Sequence, residues 1–438
     1  MILPSVISQL IVLIYNMADT FYVGQTNNPY MVASTSLILP VFNITICLAS
    51  LAGVGGGSLV SRLLGQGRHD EARRVSTFSI YLALAISALF ALIMACFMRP
   101  ILRLLGAGSN TYEYARQYAL SVIVAGGVPT VLSNVLSNLL RSVGRSTAAG
   151  FGIVLGGVLN IALDPLFMFV LLPDGQEVLG AGVATCISNC IACLYFIAVL
   201  LLGGRGQVIT FNPGVGLAER ESIKAIFAVG VPSAVTNFLF DLDYVILDRL
   251  MVSYHDLALA AIGIVLKVER FPLNIGVGIC QGMMPLVGYN YAAGNRKRMR
   301  DSIRLSLGVG LIIAAISIAL YEIFASQLIR LFLDDAQTVE LASAFLRVRV
   351  LATPLMFISF FTVYLFQAFG KGTVSLLLGM VRWLVFNIPM LYLLNTIFGM
   401  YGLVWSQVTA DTLSVIMSLT VYIKFRPPIL RKDQLPER

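Results

Sequence analysis

Asp19, Asn160, Asp164 and Thr185 are the residues most able to do chemistry in this sequence. Each lies in a long apolar run, and no Lys or Arg sits mid-run in the first half of the chain to neutralise the two carboxylates. Charged groups inside a membrane span are costly, which makes them functional candidates by default. A carboxylate without a basic partner there must bind a cation or take up a proton, because a low dielectric disfavours the bare charge. Two carboxylates, an amide and a hydroxyl suit a hard monovalent cation such as Na+, or a proton shared between carboxylates. Depth agrees: Asp19 falls about 9 Å from the outer end of its run at 1.5 Å per residue. Asn160 and Asp164 are one helical turn apart, and Thr185 lies four residues inside its own run. Pro165 frees a carbonyl beside them, as expected of a helix broken next to a site.

The second half carries its charges differently. Asn237, Asp241, Tyr244 and Asp248 fall at i, i+4, i+7 and i+11, one polar stripe of a helix. They form either a second proton or substrate site, with Asp241, Asp248, Lys267, Glu269 and Arg270 as its candidates, or a buried network with Lys267 and Arg270. Asp411 and Arg382 are expected to pair across neighbouring spans. The six cysteines all lie in apolar stretches, so no disulfide framework is expected. Cys186, Cys190 and Cys193 share one helix face and read as small packing residues. No G-x-x-x-x-G-K-[ST] or H-E-x-x-H motif occurs, so no ATPase or zinc-protease chemistry is expected. The expectation is no enzyme and no cofactor beyond a coupling ion, Na+ or H+.

The elements that hold these residues follow from composition. Of 438 residues, 58% are hydrophobic and 12% charged, with mean hydropathy +0.86. Soluble domains carry about twice that share of charge. The chain therefore reads as an all-α polytopic membrane protein in the lipid bilayer, since a span must satisfy its own backbone hydrogen bonds. Apolar runs long enough to cross fall near 2–25, 32–60, 76–98, 121–140, 148–172, 181–203, 227–253, 257–290, 305–327, 350–369, 374–398 and 401–423. That predicts twelve transmembrane helices.

Lys and Arg crowd the loops on the N-terminal side, with Arg62, Arg68, Arg73, Arg74 and the run Arg296-Lys-Arg-Met-Arg300 among them. The opposite loops hold only Arg99, Arg103, Arg116, Arg330, Arg347 and Arg349. This bias places both termini in the cytoplasm. It also explains the net charge of +8 as a topology signal, so no nucleic-acid partner is expected.

An internal repeat divides the chain. Residues 53–106 align without gaps to 280–333, with Leu59 and Val60 opposite Leu286 and Val287, and Arg103 and Leu104 opposite Arg330 and Leu331. Further on, Gly144-Arg-Ser-Thr147 resembles Gly370-Lys-Gly-Thr373. The expected organisation is a six-helix lobe over 1–203, a cytoplasmic linker over 204–224, a second six-helix lobe over 225–423 and a basic tail over 424–438. Two six-helix bundles inserted the same way up are related by a pseudo-two-fold axis along the membrane normal, as in other parallel-repeat transporters.

Several segments resemble one family. Tyr15-Asn-Met-Ala-Asp-Thr-Phe-Tyr-Val-Gly24, Gly57-Ser-Leu-Val-Ser-Arg62, Asn160-Ile-Ala-Leu-Asp-Pro-Leu166, Gly180-Ala-Gly-Val-Ala-Thr185 and Gln281-Gly-Met-Met-Pro-Leu-Val-Gly-Tyr-Asn290 are similar to the multidrug and toxic compound extrusion (MATE) family. The bacterial multidrug-export branch is the nearest in pattern. The resemblance implies a bacterial inner-membrane antiporter, expected to be a monomer, that exports amphipathic, often cationic compounds in exchange for Na+ or H+. It places the cation site at Asp19, Asn160, Asp164 and Thr185. The alternative within the same superfamily is a lipid-linked precursor flippase, which should line its cleft with basic residues. Two departures stand out. The chain opens directly on its first span without the family's usual charged leader, which points to a start upstream of Met1. The second-lobe acidic residues of some branches have no clear counterpart.

Overall fold

The computed structural model describes residues 1–203, 207–216, 218–333 and 335–425. Arg205 of the linker, Asp334 and residues 426–438 of the basic tail lie outside the described residues. The described chain is helical throughout, without a strand.

The first compact unit ends at Ala234 and the second begins at Val235, so the division falls within one helix. In the first unit α1 is Ile2–Gln25, α2 Pro29–Gly65, α3 His69–Cys96, α4 Met98–Leu104 and α5 Tyr112–Ala119. A π-helical turn, Leu120–Ala125, joins α5 to α6, Gly127–Ser142. α7 is Ser146–Leu166, continued by a second π-helical turn, Phe167–Leu171, and α8 is Glu177–Leu201. α9, Arg220–Val252, runs into the second unit. There α10 is Asp256–Ala292, α11 Arg296–Arg330, α12 Ala336–Val350, α13 Thr353–Ala368 and α14 Gly372–Met380. A π-helical stretch, Val381–Asn387, leads into α15, Ile388–Phe425.

These elements make twelve crossings. Eight helical stretches are long and apolar enough to cross as single pieces, and two bent pairs, α5 with α6 and α12 with α13, cross as broken spans turned by 45°. The 372–425 stretch is two spans, because Gly399 sits at φ 61°, ψ −139°, a conformation open to glycine and closed to residues with a Cβ. α10 completes the set: its 37 residues are long enough, and its mid-helix charges Lys267, Glu269 and Arg270 lower its hydropathy.

Large apolar side chains such as Leu89, Leu92, Phe169, Val170 and Leu194 point outward, a surface that lipid accepts. Inward faces are lined by small residues. On α2 the buried positions include Gly53, Gly55, Gly56, Gly57, Ser58 and Ser61, where close backbone approach drives packing between helices in lipid. α2 packs on α3 and α6, and α7 on α8. In the second unit α10 packs on α11, α12 and α13.

Two expected boundaries move. The run at 350–369 is only the second half of its span: α12 precedes it, so Arg347 and Arg349 are helical rather than in an outer loop. α8 starts at Glu177, so Thr185 lies eight residues inside its helix rather than four. Both shifts have one cause. Polar and small residues at 177–180 and 336–349 interrupt the hydropathy without interrupting the helix.

Candidate cation-coupling site

Close helix packing brings four spans of the first unit to one place. α1 runs alongside α7 at glycines. A Cβ at Gly150 would lie 2.8 Å from the Pro4 carbonyl oxygen, and one at Gly157 would lie 2.5 Å from Ile11 Cγ2 and 3.1 Å from Tyr15 Cδ1. Pro4 and Ile11 are seven apart, as are Gly150 and Gly157, so the two helices keep step over two turns. One further heptad reaches Ala18 on α1 and Asp164 on α7. Asp19 is thereby delivered to the level of Asp164.

α8 closes the group from another side. A Cβ at Gly180 would lie 2.8 Å from the Phe167 carbonyl, and one at Gly182 would lie 2.8 Å from Ser121 Cβ and 3.4 Å from Tyr118 Cδ2. The two glycines set α8 against the π-helical turn of the fifth span and against the start of the fourth. Thr185 follows one turn later.

The hydrogen bonds leave a defined deficit. Asn160 Nδ2 donates to Asp164 Oδ1 at 3.1 Å and to Thr185 Oγ1 at 3.1 Å. Tyr118 Oη donates to Asp19 Oδ2 at 3.3 Å. Asp164 is fully buried, Asn160 is 3% exposed, and Asp19 is half-buried. Asp19 Oδ1, Asp164 Oδ2 and Asn160 Oδ1 are then buried with no donor. Buried acceptors are almost always satisfied. Three at one site, all oxygens and two of them carboxylate, have the chemistry to take up a proton or hold a hard cation.

Tyr118 is the participant that sequence reasoning missed. Glu113, Arg116 and Gln117 make 112–119 look like a loop. Its helical periodicity was nevertheless present, since Ala115, Tyr118, Ala119 and Val122 are the buried positions.

The candidates in the second unit are dispersed. Lys267 is exposed, and Asp241, Asp248 and Arg270 are half-buried. Arg270 stacks over the Tyr244 ring at 5.2 Å. Glu269 forms a salt bridge with neither Lys267 nor Arg270. Its partner is Arg349, which donates from Nε at 2.7 Å and from Nη2 at 2.8 Å, while Tyr244 Oη donates to the same carboxylate at 3.1 Å. Arg349 is 2% exposed and reaches Glu269 from α12, which packs on α10, an approach that no local spacing reveals. Arg382 and Asp411 do pair, at 2.9 Å. No disulfide joins any of the six cysteines.

A twelve-helix bundle with an internal repeat is an architecture that membrane transporters use. The MatE family profile matches residues 4–166 and 232–393, and the chain belongs to that family of transport proteins. Two curated relatives are both named multidrug export protein MepA. The one from Staphylococcus haemolyticus (strain JCSC1435) is 30% identical over 97% of this chain and 92% of its own length. The one from Staphylococcus aureus (strain MSSA476) is 30% identical with the same coverage. Among solved structures, a crystal structure of MATE in complex with MaL6 superposes with TM-score 0.91 at 25% identity, over 97% of this chain and 94% of that one. An outward-facing multidrug resistance MATE family transporter of the MOP superfamily gives TM-score 0.89 at 24% identity, with the same coverage.

Proposed function

We propose that the protein is a multidrug efflux antiporter. It exports amphipathic, often cationic compounds in exchange for Na+ or H+, through rocking-bundle alternating access. Asp19, Asn160, Asp164 and Thr185, joined by Tyr118, form the coupling site. The observation that carries this reading is the set of three buried oxygens without donors at a site whose bonding partners include no Lys or Arg. The export function of the MepA relatives, named as such, supports the drug half of the reading.

In this reading an ion arriving from outside occupies the free oxygens and weakens drug binding. Its release inside lets the next drug molecule bind. Each positive charge moved inward contributes about 2.3 kcal/mol per 100 mV of membrane potential. The protein then sits in the bacterial cytoplasmic membrane with both termini inside, and acts as a monomer. The flippase alternative needs free basic residues for a pyrophosphate. The two most buried guanidinium groups of the second unit, on Arg349 and Arg382, are instead committed to Glu269 and Asp411.

The test is ethidium efflux from energised, pump-deficient bacteria expressing wild type or Asp19→Asn, after a Na+ jump and, separately, a pH jump. Efflux that follows one ion in the wild type and is lost in the variant supports the assignment. Ion-driven efflux unchanged in Asp19→Asn refutes it.

A further inference from the structure

The second unit holds a buried polar cluster that the proposed mechanism does not use. Arg382 and Asp411 are 4% and 1% exposed. Arg382 Nε and Nη2 both lie 2.9 Å from Asp411 Oδ1, and Gln407 Nε2 donates to the other oxygen. The guanidinium carbon lies 4.5 Å from the centroid of Phe360 and 4.4 Å from that of Trp383. Asp243, 2% exposed, feels the charge of both Arg382 and Arg349 and keeps Oδ1 buried without a donor. A desolvated ion pair seldom stabilises more than apolar packing of the same shape, so this cluster needs another origin.

The internal repeat supplies one. The register that sets Leu59 opposite Leu286 also sets Asn160 opposite Asn387. Yet Gly144-Arg-Ser-Thr147 stands opposite Gly370-Lys-Gly-Thr373 one residue out of it. One residue has therefore been added to the second copy between Thr373 and Asn387. The π-helical stretch Val381–Asn387 lies in that interval. A turn closed by i→i+5 bonds holds one residue more than an α-turn, so it absorbs an insertion while the helix continues. Arg382 and Trp383 sit in that stretch. The first copy has only apolar residues and glycine between Thr147 and Asn160, and is α-helical throughout them.

The same spans furnish both clusters. The first and seventh carry Asp19 and Asp243, and the sixth and twelfth Thr185 and Asp411, at different register positions: Asp243 stands opposite Asn16 and Asp411 opposite Ala184, and only Asn387 of the eleventh stands opposite its like, Asn160 of the fifth. Their charge differs. No hydrogen bond to Asp19 or Asp164 comes from a Lys or Arg. In the second unit the three carboxylates Asp243, Glu269 and Asp411 share two guanidinium groups, on Arg349 and Arg382.

We propose that the second half holds, on the corresponding spans but at other positions, a counterpart of the cation site in which the cation is part of the chain. The guanidinium of Arg382, brought in by the inserted π-turn, occupies Asp411 permanently, and ion exchange is confined to the first half. The confinement rests on the coupling site proposed above. The occupancy of Asp411 does not.

Removing the tethered cation should recreate a site for a free one. Arg382→Ala, purified in detergent, is expected to unfold at a lower temperature than wild type. Millimolar guanidinium should raise its Tm by about 3 °C or more through binding to the folded state alone. Urea, its uncharged isostere, should not. Wild type and the double variant Arg382→Ala/Asp411→Asn should show no such rise. A folded Arg382→Ala that responds to guanidinium no better than to urea overturns the proposal. Should Arg382→Ala not fold, the uncharged pair Arg382→Gln/Asp411→Asn decides. It is expected to keep ion-driven ethidium efflux with the half-saturating ion concentration within twofold of wild type, and loss of the ion dependence overturns the proposal. Failure of the antiport reading would appear separately, as wild-type efflux that follows no ion.

Discussion

The hydroxyl of Tyr118 donates to one oxygen of Asp19 at 3.3 Å while the other oxygen is buried with no donor. The carboxylate is thus held in place by one partner and left short of another. Holding and deficit together are what an exchangeable-ion site requires: fixed geometry without the ion, and an unmet bond that the ion meets.

Tyr118→Phe keeps the ring and removes the donor. A hydrogen bond to a charged group contributes about 1.5–3 kcal/mol, more than tenfold in an equilibrium. The half-saturating concentration of the coupling ion should shift about tenfold, with maximal efflux retained. Efflux titrated against the ion in membrane vesicles measures the shift.

Gly157 is the contact that sets Asp19 level with Asp164. A Val at this position places Cβ 2.5 Å from Ile11 Cγ2 and should push α1 away, at a cost of about 1–3 kcal/mol. Gly157→Val is expected to lose ion-driven efflux, and Ile11→Ala in the same chain to restore part of it. Efflux of the two single variants and the double variant, compared at equal membrane abundance, checks this.

Glu269 and Arg349 are a buried pair joined by two bonds. Glu269→Gln leaves a buried guanidinium without its counter-charge and should cost about 3–5 kcal/mol. Replacing both by Met removes the two charges together and should be much better tolerated. Thermal unfolding in detergent distinguishes the two.

Asp335 caps α12 from outside the spans, accepting from the backbone N–H of Thr338 at 2.9 Å and from its hydroxyl at 2.7 Å. These bonds favour the ionised form and hold the carboxyl below its ordinary value. A lowered value in the folded state means the cap is fully effective above the ordinary carboxylate range and is lost as pH falls through the lowered value. Amide protection at the start of α12 should therefore fall in acid in the wild type, and the loss should be absent in Asp335→Asn. Hydrogen exchange of the 336–342 segment, corrected for intrinsic rates, reads this out.

The fold was legible where residues repeat a physical constraint. Twenty-residue apolar runs, the loop charge bias and the 53–106 repeat led to twelve helices in two halves. The carboxylates of the first half were legible because an unpaired Asp in an apolar run has few explanations. Three things were hidden. α5 and the start of α12 carry charges, so their helices do not appear as apolar runs. Tyr118 resembles any core tyrosine until Gly182 is seen against it. Arg349 reaches Glu269 from a different span, and only packing brings them together. The π-turn at 381–387 was latent in the sequence, as a one-residue slip between two matches of the repeat, but only the helix geometry located it.

The most direct test is transport by purified protein in proteoliposomes, with wild type, Asp19→Asn and Asp164→Asn each given an inward Na+ gradient or an inward H+ gradient. One of the two gradients is expected to drive drug movement by the wild type and neither to drive it in either variant, with folding and drug binding retained. Gradient-driven transport by both Asp19→Asn and Asp164→Asn at the wild-type rate would contradict this.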